Sequence, residues 1–141
     1  MRNHLLTLCL TALATAVFAD GPMTAEEFDA YTRDKTFYYG SDGIPYGAEE
    51  HLSGRRVIWT FLDGKCQDGI WYPDGDQICF VYENTPDPQC WRFERSGGGL
   101  VAQYVNDPSQ SELYEVKKSH EPLLCLGPEV GVKYQIDDIK R

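Results

Sequence analysis

Histidine is scarce in this chain, and the patterns missing around it exclude several chemistries. Three histidines stand among 141 residues. No C-x-x-C or H-x-x-x-H spacing occurs, which removes the usual zinc ligand sets. No G-x-S-x-G elbow presents a nucleophile. The glycine run in "SGGGL" is followed by neither Lys-Ser/Thr nor a helix, so it is no phosphate loop. The Asp-Gly pairs lack the oxygen spacing of an EF-hand. Histidine adjoins a carboxylate only in "EEH" (Glu49–His51) and "HE" (His120-Glu121), pairings that surface loops produce by chance. Paired-carboxylate hydrolysis is defined by separation in space, which sequence does not give.

Basic residues are also short, with 13 Lys+Arg against 22 Asp+Glu and a net charge of −9. Nucleic acid and anionic membrane surfaces both require basic patches, so neither is an expected partner. "GRRV" and "VKKS" are isolated basic pairs and read as solvated strand ends. Beyond the first twenty positions no apolar run approaches the roughly 20 residues of a spanning helix. No repeat or low-complexity segment occurs.

The first twenty positions read "MRNHLLTLCLTALATAVFAD". Arg2, the apolar run Leu5–Val17 and the small residues Val17 and Ala19 form the pattern of a secretory signal peptide, Met1–Ala19, cleaved after Ala19. The run is too short for a membrane anchor. Cys9 lies inside it and is leader filler. Cleavage would leave one domain, Asp20–Arg141, with no membrane insertion. It would remove Arg2 and no acid, changing the net charge from −9 to −10. The expected location is periplasmic or secreted.

Four cysteines then remain: Cys66, Cys79, Cys90 and Cys125. An even count in a small exported chain predicts two disulfides, with three connectivities open. No metal or cofactor is expected.

Met23–Lys35 predicts a short helix, with Thr24 and Glu27 as a capping box and Phe28 and Tyr31 on one apolar edge. No helical period follows. Short aromatic and β-branched runs alternate with turn signals, among them Asp-Gly at Asp42, Asp63, Asp68 and Asp74. Strands are expected near Lys35–Tyr39, Arg55–Leu62, Cys66–Tyr72, Gln77–Glu83, Gln89–Arg95, Leu100–Val105, Glu112–Lys117 and Lys133–Ile136. Gly43–Gly47 is a further short candidate. Short connections make neighbours antiparallel, and closure removes the exposed edges of such a meander. The fold class is therefore all-β: a small up-and-down antiparallel barrel of about eight strands, with the helix over one open end.

Alternation places Trp59 with Phe61, Ile78 with Phe80 and Tyr82, and Trp91 with Phe93 on common faces. An Asp74-Gly75 turn would set Trp71 opposite Ile78, on the same aromatic wall. Cys66, Cys79 and Cys90 fall on the reverse side. The aromatic wall is expected inward, because each buried ring contributes about 1.5–3 kcal/mol. A barrel of this size is either plugged by its own side chains or holds one small ligand, and a filled core is the simpler reading. Facing Cys79 with Cys90 sets Phe80 against Gln89 and Tyr82 against Asp87. A tighter aromatic register would set Tyr82 against Trp91 and part the sulfurs. "ENTPDPQ" favours the first, though Pro88 must then occupy a strand edge; Cys66 is then left for Cys125.

The block "GIWYPDGDQICFVYENTPDPQCWRF", with "YYGSDGIPYG" and "GRRVIWTF" upstream, resembles a family of small exported alphaproteobacterial proteins. Its shared pattern is Gly-x-Trp, then Gly-Asp, then Cys within an aromatic strand, then Cys-aromatic, over roughly Phe37–Phe93. The resemblance implies a lipocalin-like periplasmic barrel with a disulfide and lends no activity. Cys66 and Cys125 exceed the minimal pattern.

These readings lead to a non-enzymatic periplasmic barrel that binds a small apolar ligand or an envelope component. The competing expectation is an interaction protein acting through its acidic surface on an envelope protein. Ligand contacts are expected among Tyr38, Tyr39, Tyr46, Trp59, Trp71, Tyr82 and Trp91. Any site is expected at an open end of the barrel, with Tyr38, Tyr39 and Tyr46 near the helix lid.

Overall fold

The computed structural model describes residues 21–126; the expected leader, Met1–Ala19, and the expected strand Lys133–Ile136 lie outside them. Helix α1 (Ala25–Thr32) precedes eight strands: β1 (Lys35–Ser41), β2 (Ile44–His51), β3 (Arg56–Thr60), β4 (Cys66–Asp74), β5 (Gln77–Tyr82), β6 (Thr85–Ser96), β7 (Gly99–Tyr104) and β8 (Leu113–Ser119). Each strand pairs with the next, and β8 pairs back onto β1, giving a closed antiparallel barrel.

The capping box forms as expected: Glu27 N–H donates to Thr24 Oγ1, and Thr24 N–H donates to Glu27 Oε2 at 2.8 Å. The chain before α1 is tied to the barrel by Met23 N–H, which donates to the Phe93 carbonyl at 2.6 Å. Phe28 then enters the barrel end, fully buried, with its ring centroid 4.6 Å from Phe93 and 5.2 Å from Trp71. Arg55, in the β2–β3 connection, lies over the Trp71 ring at 4.8 Å. One barrel end is thereby closed by α1.

The seam between β7 and β8 is short, with two register pairs, Val101 with Tyr114 and Ala102 with Leu113. Glu115 on β8 bridges it. One carboxylate oxygen, Oε2, accepts from the Leu100 amide at 2.8 Å and from the Tyr31 hydroxyl at 3.0 Å, so the same acid also anchors the helix.

Two register expectations change. The tight turn is Gly75-Asp76, not Asp74-Gly75: Asp74 pairs with Gln77, and Gly75 takes φ +61°, which glycine adopts without strain. Trp71 accordingly faces Phe80 and not Ile78, two residues along and on the same wall. In the β5–β6 pair Cys79 faces Cys90 and Phe80 faces Gln89, but a bulge sets Tyr82 against Thr85 and not Asp87. Pro86 and Pro88 lie in the part of β6 that precedes its pairing with β7, where a missing N–H breaks no ladder on that side.

Both disulfides join the expected partners, Cys79 to Cys90 and Cys66 to Cys125, with Cα separations of 4.0 and 5.6 Å. They indicate an oxidising, extracytoplasmic environment. The second one fastens a strap. After β8 the chain crosses the outside of the barrel: the Thr36 hydroxyl donates to the Glu121 carbonyl, Leu123 N–H donates to Glu50, and Leu126 N–H donates to the Gly64 carbonyl. Cys66, Cys125 and Ile58 form a small buried cluster beneath it, flanked by Leu52 and Leu123.

Candidate functional site

The barrel interior is filled at one end and hollow at the other. Phe28, Phe37, Trp71, Phe80 and Phe93 pack the half next to α1. The opposite half keeps a cavity of about 70 Å³, among whose lining residues Tyr46 and Phe61 are exposed. That is about half the ~150 Å³ of an engineered apolar cavity that takes up benzene. The space suits a group of a few heavy atoms, not a long acyl chain.

Its mouth is aromatic. Between β1 and β2 the register slips, so that Tyr39 pairs with Gly47 and Gly40 with Pro45, leaving Tyr46 bulged out. Bulges re-aim side chains, and the Tyr46 ring lies 6.0 Å from Trp59 and 5.9 Å from Phe61. Gly47 is required beneath this group: a Cβ there would fall 2.3 Å from the Trp59 ring. Trp91, tilted against Tyr104 with ring centroids 4.7 Å apart, forms the facing wall with Phe93, Ala102 and Leu113.

Its floor is polar. Glu49 is fully buried and accepts a hydrogen bond from the Tyr82 hydroxyl at 2.7 Å. Burial pushes its carboxyl up to about 8, the tyrosine bond only partly opposing the shift. Tyr82 is itself held well above the ordinary phenol range, first by burial and then by Glu49. The Tyr39 hydroxyl and Gln67 Oε1, which also line the cavity, are buried without hydrogen-bond partners. An unpaired buried polar atom costs about 1–3 kcal/mol.

His51, two residues beyond Glu49 on the same inner face of β2, lies deeper, between Phe28 and Phe37. Its Nε2 is 3.8 Å from Glu49 Oε2, too far for a hydrogen bond, and neither ring nitrogen has a partner. Burial depresses the imidazole to about 3. Both groups are therefore neutral near pH 7, and their proximity is not an ion pair. The "EEH" stretch is thus no surface loop but part of β2, with Glu49 and His51 turned inward and Glu50 outward under the strap. His120, in contrast, is exposed, with Nδ1 3.3 Å from the Asp34 carbonyl.

Of the seven residues expected from sequence, Tyr39, Tyr46, Trp59, Tyr82 and Trp91 line this cavity. Trp71 does not; only 2% exposed, it belongs to the plugged end with Phe28. Tyr38 points outward, with the Lys117 ammonium over its ring at 5.1 Å. The cavity lies at the barrel end away from the helix, with Tyr46 at its mouth and not near the helix lid. Phe61 is 54% exposed at the rim and is not part of the core, because β3 ends at Thr60. Sequence reading missed Glu49 and Gln67. The only available signal was the alternation Gly47, Glu49, His51, which puts one glycine and two polar residues on a single face.

The fold and cavity define a closed eight-stranded up-and-down barrel, plugged at one end and open at the other. No protein-family model, curated protein or solved structure matches the chain.

Proposed function

We propose that this protein is a non-enzymatic, exported ligand-binding barrel of lipocalin-like type, working in the periplasm after loss of its leader. It holds a small molecule in the open-end cavity, with the apolar part among Tyr46, Trp59 and Trp91 and a polar group toward Glu49. One observation carries the reading. The residues that line the cavity are partly polar, and two of them, Tyr39 and Gln67, carry a buried oxygen that the protein leaves without a partner, whereas a cavity left over from imperfect packing is apolar. The two disulfides support the compartment, and the leader pattern and the family resemblance agree with it.

The rival reading is an interaction protein that acts on an envelope partner. It has the exposed rim residues Ile44, Phe61 and Leu62 in its favour. A native mass spectrum of protein purified from periplasm separates the two. Ligand binding predicts a small-mass adduct that denaturation removes and that Ala102→Leu, which fills the cavity from its wall, abolishes. A protein-mass partner retained by Ala102→Leu would favour the rival.

A further inference from the structure

We propose that the open-end cavity selects a small amine, its ammonium group seated against Glu49 and its short apolar body among the aromatic rings of the mouth. This rests on the ligand-binding reading and names the chemistry of the occupant.

The lining is chemically one-sided. Glu49 is its single carboxyl group, and it contains no lysine, arginine or histidine. A carboxylate or phosphate ligand would be placed beside an acid with no cation to receive it. Among the lining residues, Tyr39 Oη and Gln67 Oε1 have no partner in the protein, while the Tyr82 hydroxyl proton is already committed to Glu49. An alkylammonium brings three N–H donors to Glu49 and to acceptor oxygens such as Gln67 Oε1. The rings of Tyr46, Trp59 and Trp91 line the same cavity and supply apolar surface for the short carbon body. The 70 Å³ volume admits the head and a short chain, not a bulky amine.

Proton balance follows from Glu49. Its carboxyl holds a proton at neutral pH because burial raises it to about 8. When the ammonium docks, the O–H bond of that carboxyl breaks, the proton leaves to solvent, and the carboxylate pairs with the R–NH₃⁺ group. The other titratable groups facing Glu49 do not compete. Tyr39 and Tyr82 are raised by burial and stay neutral, Tyr46 is likewise raised, and His51 is depressed to about 3.

Isothermal titration with three probes of similar size, isobutylamine, isobutanol and isobutyrate, tests this on the full mature chain. The amine is expected to bind at least about tenfold more tightly than the alcohol, the strength of a close charge pair, and isobutyrate not at all. Below pH 8 the amine affinity should rise by up to about tenfold per pH unit. Paired buffers of different ionisation heat should report about one proton released per site. Glu49→Gln should reduce amine affinity to that of the alcohol and remove the proton release. Equal binding of amine and alcohol overturns the amine assignment and leaves the ligand-binding reading standing. Binding of none of the three overturns both. If Glu49→Gln fails to fold, wild-type protein that binds the amine without releasing a proton still overturns the role of Glu49.

Discussion

The Tyr82 hydroxyl donates to Glu49 Oε1 at 2.7 Å across the barrel interior, joining β5 to β2 through the floor of the cavity. Burial holds the pair in its neutral form, Tyr82 donating to a protonated acid, and no lysine, arginine or histidine lines the cavity to balance the carboxyl. Most of the expected behaviour follows from that unbalanced acid and from the plugged end behind it.

Glu49 should make the fold less stable as pH rises. Its folded value is about 8 against an ordinary 4.5, so the folded state binds a proton that the unfolded chain releases between those values. The penalty is absent below pH 4.5, reaches about 3 kcal/mol at pH 7, and levels off above 8. Urea midpoints should therefore favour Glu49→Gln increasingly from pH 4.5 to 8. A constant difference between the two proteins would show that the carboxyl is ionised in the fold.

His51 acts in the other direction. With a folded value of about 3 against 6.5, it loses stability as pH falls through that range, by about 1.4 kcal/mol per pH unit. Between 4.5 and 6.5 the two slopes oppose and largely cancel. His51→Phe, which fits the Phe28 and Phe37 surroundings, should abolish the acid limb below pH 4.5. An unchanged acid limb would assign it to other groups.

The two disulfides should differ in weight. The Cys66–Cys125 bond closes a separation of 59 residues and Cys79–Cys90 one of 11. Chain entropy then assigns them about 4 and about 3 kcal/mol. Cys66→Ser/Cys125→Ser should lower the denaturant midpoint more and expose the strap amides, such as Leu126, to hydrogen exchange. Loss of stability with the strap amides still protected would mean that hydrogen bonds alone hold the strap.

Gly47→Ala should cost about 1–3 kcal/mol through overpacking. Its Cβ meets the Trp59 ring at 2.3 Å and the Thr60 carbonyl oxygen at 2.8 Å, and backbone cannot yield as a side chain can. Trp59 should move toward the cavity, changing its fluorescence. A fully stable variant with native emission would contradict the close approach.

Most of the barrel was legible because its inner face is aromatic and alternates, as in Ile78, Phe80 and Tyr82. β2 was the exception, foreseen only as Gly43–Gly47. It carries Pro45 and Gly47 and turns Glu49 and His51 inward, so the apolar alternation that marks a strand is absent where the floor of the site forms. The Trp71 partner was misplaced because the Asp-Gly signal does not say which position of the turn the glycine fills. Asp68-Gly69 likewise marks no turn but a point in β4 where a Cβ would meet the Tyr82 ring at 2.6 Å. The strap was illegible, being irregular chain held by a disulfide and isolated hydrogen bonds.

Trp71 and the mouth tryptophans should separate stability from binding. Trp71→Ala removes a 2% exposed ring from the Phe28 plug and should cost about 3–5 kcal/mol while sparing ligand affinity in the fraction that folds. Trp91→Ala, at a partly exposed wall, should cost less stability and weaken binding. The reverse pattern would move the site to the helix end.

The three tryptophans permit the most direct test of a ligand cavity at the open end. Trp59 and Trp91 line it, and Trp71 sits at the plugged end as an internal reference. In ¹⁵N-labelled protein titrated with isobutylamine and isobutanol, the indole N–H signals of Trp59 and Trp91 should shift with a saturable dependence while that of Trp71 stays in place. Movement of Trp71 alone, or no saturable shift at Trp59 and Trp91 with either probe, would contradict the account.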